Sequence, residues 1–455
     1  MKTKKWIAIT ALLTLVAGTI LAGCGKSSEQ IQRTDKSGEE VEEKPWTGKI
    51  TVWDGPRWAD ANDNKYHWLE AKTAEFEAAH PGVKIEIVQV PWAEMPDKLN
   101  VAIAGKAWPD IAPVDISGGA VSINHIKQGV IEPMDEYLTK DEWADFYPNA
   151  LEAYTYDGKI YGVPNSITVH AMLLNLDLFK ERGVDPPKDG RWTYEEFVEK
   201  MKQLTFDRDG DGQIDVYGFS TYILPGYYEA WPFLYMDGAR PLSEDLNQYT
   251  FDDPKAVSAL KKLSDLKFVH KLAPPEMGGN DVGGTWKAWA ASDQRMVAVE
   301  PWATWAIASA QTDKWKTNFM VAEYPIGDSG KPITIGGVGG WVMFHEENDG
   351  KKKMVAELIK YLSSTDEQYT MAKNYGVFPA RKSAAEKNPF IDNPQMAQAM
   401  NMAEQAVMLP RHPDWKKIDE AIQTQLQLVL NGEKTPEEAL KAARGPVEEI
   451  LNQYK

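Results

Sequence analysis

The sequence predicts an α/β protein with room for two or more sizeable lobes. Three observations carry that expectation. The chain has 455 residues, more than one hydrophobic core commonly serves. Short β-type runs alternate with helical patterns from Lys49 onward, which is how a largely parallel sheet covered by helices reads in sequence. The single cysteine is Cys24. That excludes an intrachain disulfide and a cysteine-based metal site, so stability must come from a large core.

The run Lys49-Ile50-Thr51-Val52-Trp53 opens the ordered body as a strand. A helical pattern follows, with Trp68, Leu69, Lys72, Phe76 and Ala79 on one face, and His80-Pro81-Gly82 stops it. Val83, Ile85 and Ile87 alternate as a second strand, and Glu94 to Gly105 is helical through Met95, Leu99 and Ile103. Asp110-Ile111-Ala112 opens a third strand. In open α/β sheets ligands sit beyond the carboxyl ends of strands. Two loops occupy such positions: Trp53-Asp54-Gly55-Pro56-Arg57-Trp58 after the first strand and Val114-Asp115-Ile116-Ser117-Gly118-Gly119 after the third. Gly55, Pro56, Gly118 and Gly119 read as turn chemistry, whereas Trp53, Asp54, Arg57, Trp58 and Asp115 are expected to face a ligand.

Ahead of this body lies a leader. Lys2, Lys4 and Lys5 precede an uncharged run from Trp6 to Ala22, then small residues and Cys24, the order of a secretory signal. Leu21-Ala22-Gly23-Cys24 resembles the bacterial lipoprotein cleavage box, which implies removal of residues 1–23 and lipid on Cys24. The alternative is a plain membrane anchor, for which an apolar run of about 17 residues is marginal. Residues 24–47 are polar, charged and without apolar rhythm, and read as a flexible linker. The expected location is the outer face of the cell membrane. The formal charge of −17 falls to about −20 without the leader lysines, and such a surface repels nucleic acid.

Seventeen tryptophans are a surplus, since a buried indole N–H needs a partner. Flat rings with apolar faces and polar edges suit sugars, whose C–H faces stack while their hydroxyls bond to polar side chains.

Several segments carry a family resemblance. Asp157-Gly158-Lys159-Ile160-Tyr161-Gly162-Val163-Pro164, Leu173 through Phe179 and Trp192-Thr193-Tyr194-Glu195-Glu196-Phe197 resemble family 1 extracellular solute-binding proteins. So do Glu300-Pro301-Trp302-Ala303-Thr304-Trp305, Tyr375-Gly376-Val377-Phe378-Pro379-Ala380-Arg381 and Gly432 through Leu440. These are sugar-binding components of ATP-driven importers, the group that includes maltose-binding protein. The resemblance implies two lobes gripping a ligand in a cleft, joined by a hinge crossed near residues 164–168, 324–332 and 376–381. The N-terminal lobe would hold residues 48–165 and 331–376, and the C-terminal lobe residues 166–330 and 377–455.

By the same resemblance, Trp302 lies beneath a sugar ring, with Glu300 standing where the family has glycine. Tyr228 is the stacking tyrosine, with Tyr227 as its substitute and Trp231 as core. Glu229 either accepts a hydroxyl or faces solvent. Thr168 and His170 sit at the hinge segment that contributes a ligand hydrogen bond, and Arg411 and Trp415 lie on a loop at the cleft rim. Trp286, Trp289 and Trp305 fall at helical spacings that favour the core. Gly336-Gly337-Val338-Gly339-Gly340-Trp341 lacks the Lys-Ser/Thr of a P-loop and reads as a glycine-rich strand that lets a ligand approach, with Trp341 bordering the cleft.

Asp207, Asp209, Asp211, Gln213 (through its carbonyl) and Asp215 follow the ligand order of a calcium loop, with Gly212 at the turn position. Gly218 departs from it, standing where the bidentate glutamate belongs. A structural Ca2+ is expected there, against an acidic turn as the alternative.

The function expected is therefore a monomeric, lipid-anchored subunit that captures an oligosaccharide and delivers it to an ABC permease, without breaking a bond. A secreted glycosidase is the competing class, and a peptide or polyamine is a competing ligand. The chain has no HExxH and no GxSxG.

Overall fold

The computed structural model describes residues 45–114, 123–279, 282–291, 296–312, 317–410, 412 and 414–454. The leader with Cys24, most of the linker, Asp115 with Ser117 to Gly119, and Arg411 lie outside the described residues. Residues 46–455 form one compact unit.

Among the described residues there are eleven strands: β1 (Gly48–Asp54), β2 (Val83–Gln89), β3 (Ile111–Val114), β4 (Thr155–Tyr156), β5 (Lys159–Ile160), β6 (Val163–Asn175), β7 (Tyr217–Phe219), β8 (Val297–Ala303), β9 (Phe319–Ala322), β10 (Ile335–Met343) and β11 (Val407–Met408). Nine build one sheet in the order β2-β1-β3-β10-β6-β8-β7, with β11 paired to β10 and β9 to β6. The first three expected strands are there. The expectation of a largely parallel sheet needs correction, because the sheet is mixed. Parallel pairs β1–β2, β1–β3 and β7–β8 lie to either side of a central antiparallel pair, β10 and β6.

β6 explains the arrangement. All thirteen of its residues are buried, and side chains alternate between the faces of a strand. Ile167, Val169, Ala171 and Leu173 enter one hydrophobic core, whereas Met172 and Leu174 enter a second. The first core gathers Ile50, Val52, Leu69, Leu99, Ile111 and Leu358, and draws in Trp289, Trp302, Ile307 and Phe390. The second gathers Phe197, Phe219, Phe233, Leu260, Ile418 and Leu440.

Local sequence sets the helices. Thr193 and Glu196 form a reciprocal capping box that starts helix Tyr194–Gln203. Thr435 and Glu438 do the same for helix Pro436–Asn452. Helix His67–Ala79 forms as its spacing predicts, but the buried face runs through Trp68, Leu69, Thr73 and Phe76. Ala79 is exposed at the last turn, and Lys72 spends its ammonium on Glu75 and Glu367 at 3.0 Å each.

Two glycines of β10, Gly336 and Gly340, are required by packing. A Cβ at Gly336 would lie 2.8 Å from the Ala406 side chain and 3.0 Å from the Thr168 carbonyl. One at Gly340 would lie 2.5 Å from the Val163 carbonyl and 2.6 Å from the Tyr154 hydroxyl. Protein atoms thus fill the space that the sequence reading left for a ligand.

Candidate functional site

The expected site residues fall into two groups that meet β6 at different points. Trp341 pairs with Val163 and Trp302 with Ala171. Those partners are eight residues apart, about 26 Å along an extended strand.

The first group forms at the carboxyl end of β1. Asp54 and Arg57 are both buried and bind each other through two bonds, Arg57 Nε to Asp54 Oδ2 at 3.0 Å and Nη2 to Oδ1 at 2.9 Å. The guanidinium lies 5.1 Å from the Trp68 ring, 5.3 Å from Trp341 and 5.7 Å from Trp92. Burial pushes the Asp54 carboxyl above its ordinary range, outweighing the charge of Arg57. Both members therefore have their partners within the protein, and Trp341, expected at the cleft border, is fully buried beneath Arg57. Trp53 and Trp58 are half-buried. Trp58 meets His67, Trp68 and Tyr375 at ring distances of 5.4, 6.0 and 6.2 Å. Gly55 is required because a Cβ there would meet the Trp92 ring at 2.3 Å.

The second group forms at the carboxyl ends of the parallel strands β7 and β8, the position where open α/β sheets bind ligands. Residues two apart on a strand share a face, so Glu300 and Trp302 lie side by side on β8. The indole Nε1–H donates to Glu300 Oε2 at 3.1 Å. Trp302 is fully buried within a set of rings: Trp286 at 5.0 Å, Tyr222 at 5.5 Å and Trp305 at 5.7 Å. Tyr222 in turn meets Tyr227 at 5.6 Å. The row surfaces at both ends, with Tyr227 39% and Trp305 44% exposed.

The polar side of this group is unusual. Ser220 Oγ, Glu300 Oε1 and Thr304 Oγ1 are buried without a hydrogen-bond partner, and the buried Tyr222 hydroxyl and Glu229 carboxyl face each other. Most buried polar atoms are paired, so three orphans beside a buried acid–phenol pair mark a place built to meet something polar. Burial lifts Glu229 to about 7 and Glu300 well above the carboxylate range. His170, on β6, approaches Glu229 Oε1 at 3.7 Å. Burial holds the imidazole down at about 4, so it is neutral at neutral pH and the two form no ion pair. Thr168 is buried in β6 opposite Gly337.

Several expectations change here. Tyr228, chosen for stacking, is buried edge-on to His170 at 6.5 Å, while Tyr227 joins the aromatic row. Trp305 and Trp286, expected in the core, are exposed and half-buried respectively. Trp289 and Trp231 are buried as expected. Trp415, expected at the cleft rim, is buried against Trp231 at 5.7 Å, because the buried face of helix Trp415–Leu430 starts with it.

That helix also holds the loop bearing Tyr227. Asp419 Oδ2 accepts from the Gly226 N–H at 2.8 Å, and Gln423 Nε2 donates to the Tyr227 carbonyl at 2.9 Å. Gln427 Nε2 donates to the Ile223 carbonyl at 2.7 Å. Sequence reading missed Tyr222, Ser220 and this polar ladder. Its signal was present: Asp419, Gln423 and Gln427 recur every four residues beside the apolar stripe Ile418, Ile422, Leu426 and Leu430.

The acidic loop lies between Phe206 and Val216, which pair with each other. Carboxylate oxygens of Asp207, Asp209 and Asp215 come within 4.8 Å of one another. Asp211 instead accepts from the Gln213 N–H at 2.8 Å. The Gly212 N–H is foremost in holding the Asp207 carboxyl below its ordinary range. Gly218 has a physical cause: a Cβ there would stand 2.5 Å from the Met201 carbonyl, so no glutamate fits the twelfth place.

Comparison with known proteins joins these features. Residues 71–398 match the family model described as bacterial extracellular solute-binding protein. A relative described as a binding protein in Brucella abortus (strain 2308) is 25% identical over 394 residues, covering 85% of this chain and 90% of its own. The maltotriose-binding protein of Pyrococcus abyssi is 25% identical over 422 residues, covering 90% and 81%. Among solved structures, the cyclic alpha-maltosyl-1,6-maltose binding protein from Arthrobacter globiformis superposes with a TM-score of 0.74 at 21% identity, covering 90% of this chain and 100% of that one. The fold is thus the two-lobed α/β fold of such proteins, and these relatives are described as binding proteins rather than enzymes. The chain belongs to the family of bacterial extracellular solute-binding proteins.

Proposed function

We propose that this protein captures an oligosaccharide and delivers it intact to an ABC permease, held at the outer face of the membrane by lipid on Cys24. One observation carries the reading: a row of aromatic rings, Tyr227-Tyr222-Trp302-Trp305, runs beside buried polar side chains, among which Ser220 Oγ, Glu300 Oε1 and Thr304 Oγ1 lack partners. Rings supply stacking area and the orphans meet hydroxyls. The maltotriose-binding relative supports the same class of ligand. A thermal-shift panel of maltotriose, arabinotriose and galacturonan fragments tests it. A bound sugar raises the melting temperature, with about 2.7 kcal/mol of stabilisation at a hundredfold excess over Kd, and is recovered unchanged. A panel without a single shift defeats the reading, and so does release of shorter sugars.

The anchor has its own test. Expressed in bacteria, the full chain should incorporate radiolabelled palmitate and Cys24→Ser should not; equal labelling removes the lipid. The loop at Asp207, Asp209, Asp211, Gln213 and Asp215 is proposed to hold a structural Ca2+, with a ligand from elsewhere in place of the glutamate that Gly218 excludes. Chelation should lower the melting temperature, and Asp207→Asn should abolish that response. An unchanged melting curve in chelator counts against the ion.

A further inference from the structure

We propose that the Glu229–Glu300 end of the site receives a protonated amine, so that the captured solute is an amino-bearing saccharide; this rests on the carbohydrate reading above. The two carboxyl groups come from different elements, β8 and the loop before helix Trp231–Tyr235, and both are buried. Glu300 Oε1 is without a donor, and the side-chain donor that faces Glu229 is the neutral Tyr222 hydroxyl. Glu300 spends its other oxygen on the Trp302 indole at 3.1 Å. For Glu229 the nearest basic nitrogen is His170 Nε2, at 3.7 Å, beyond hydrogen-bond reach.

No lysine or arginine among the described residues forms an ion pair with either carboxyl. The groups facing them are His170 from β6, Tyr222 after β7 and Tyr324 after β9, whose hydroxyl is donated to the Glu229 carbonyl at 2.9 Å. Tyr222, Tyr324 and His170 are all kept uncharged by burial. Two buried acids thus both act on the Tyr222 hydroxyl with no positive charge paired to either, a costly arrangement unless they stay protonated or a cation arrives.

The remaining wall chooses between these. Trp302 and Tyr222 present rings beside the acids, and aromatic faces with carboxylates are the two surfaces that hold an ammonium group. A neutral hydroxyl brings one donor and no charge. An ammonium brings three donors and the missing charge, and the Ser220 and Thr304 oxygens are acceptors still unused. Binding such a cation stabilises the carboxylates, so protons held by Glu229 and Glu300 are released on binding.

Titration calorimetry on the full chain tests this with four probes: the β-1,4 glucosamine trimer, its fully N-acetylated counterpart, maltotriose and spermidine. The amine trimer should bind at least about tenfold tighter than the acetylated one, and its heat at neutral pH should change with buffer ionisation enthalpy, reporting released protons. Glu300→Gln and Glu229→Gln, checked for folding by circular dichroism, should each cut the preference below about threefold. Equal or tighter binding of the acetylated trimer or of maltotriose overturns the amine and leaves the carbohydrate reading standing, and so does an unchanged preference in both variants. Spermidine binding without any sugar keeps the amine and removes the carbohydrate. Binding of none of the four overturns the amine and leaves the carbohydrate reading to the sugar panel above.

Discussion

At the residue scale, burial divides the tryptophans into two kinds. Trp302 is fully buried among Trp286, Tyr222 and Trp305. Its truncation to alanine opens a cavity costing about 3–5 kcal/mol of stability, which would obscure any effect on binding. Trp305 is the cleaner probe because it is exposed. Trp305→Ala should leave stability within about 0.5 kcal/mol while weakening oligosaccharide affinity by about 0.5–1.5 kcal/mol; paired melting curves and calorimetry separate the two, and an unaltered Kd removes Trp305 from the row. Glu229 gives a pH-dependent counterpart. Its carboxyl rises from 4.5 to about 7 on folding, so the native state holds a proton that the unfolded chain loses. That stability is present below about pH 4.5 and is lost as pH rises through about 7. Glu229→Gln cannot titrate, so its stability relative to the parent should improve by on the order of 3 kcal/mol between those limits. His170, held at about 4, contributes the opposite slope below its unfolded value in both proteins and cancels in the comparison. Parallel urea curves at pH 5 and 7.5 check the sign.

At the element scale, the sequence disclosed what local chemistry controls. The stop at His80-Pro81-Gly82 and the alternation of Val83, Ile85 and Ile87 formed the elements they announce, and capping boxes at Thr193 and Thr435 start two further helices. Strand direction was not legible. Alternating strands and helices favour parallel pairing, but β6 and β10 pair antiparallel because the chain returns through the middle of the sheet. Glycine was equally ambiguous: the run in β10 looked open to a ligand, yet Ala406, Thr168 and Tyr154 occupy the space. Gly218 shows the same logic in the acidic loop. Gly218→Glu would complete the calcium pattern in sequence, but its Cβ meets the Met201 carbonyl at 2.5 Å. It should therefore cost about 1–3 kcal/mol of stability through overpacking without restoring a bidentate ligand. Chemical denaturation with and without calcium checks this, and a stabilised, calcium-responsive variant would refute the packing argument.

At the scale of the whole molecule, β6 is the shared wall. Its alternate residues enter both hydrophobic cores, and its thirteen residues are buried throughout. Neither core can lose this strand without exposing the other. The body should therefore unfold in one transition, with tryptophan fluorescence and far-ultraviolet circular dichroism giving the same midpoint; separated midpoints would show that the cores come apart independently. Composition, the alternation of strands with helices and the ordered family motifs determined the α/β class and the solute-binding family, because both depend on short-range order along the chain. Which tryptophan is a platform and which is core, and whether Arg57 meets a ligand or Asp54, depended on side chains brought together from distant segments. Only tertiary packing could decide that, since burial is a property of neighbours in space and a sequence records only neighbours along the chain.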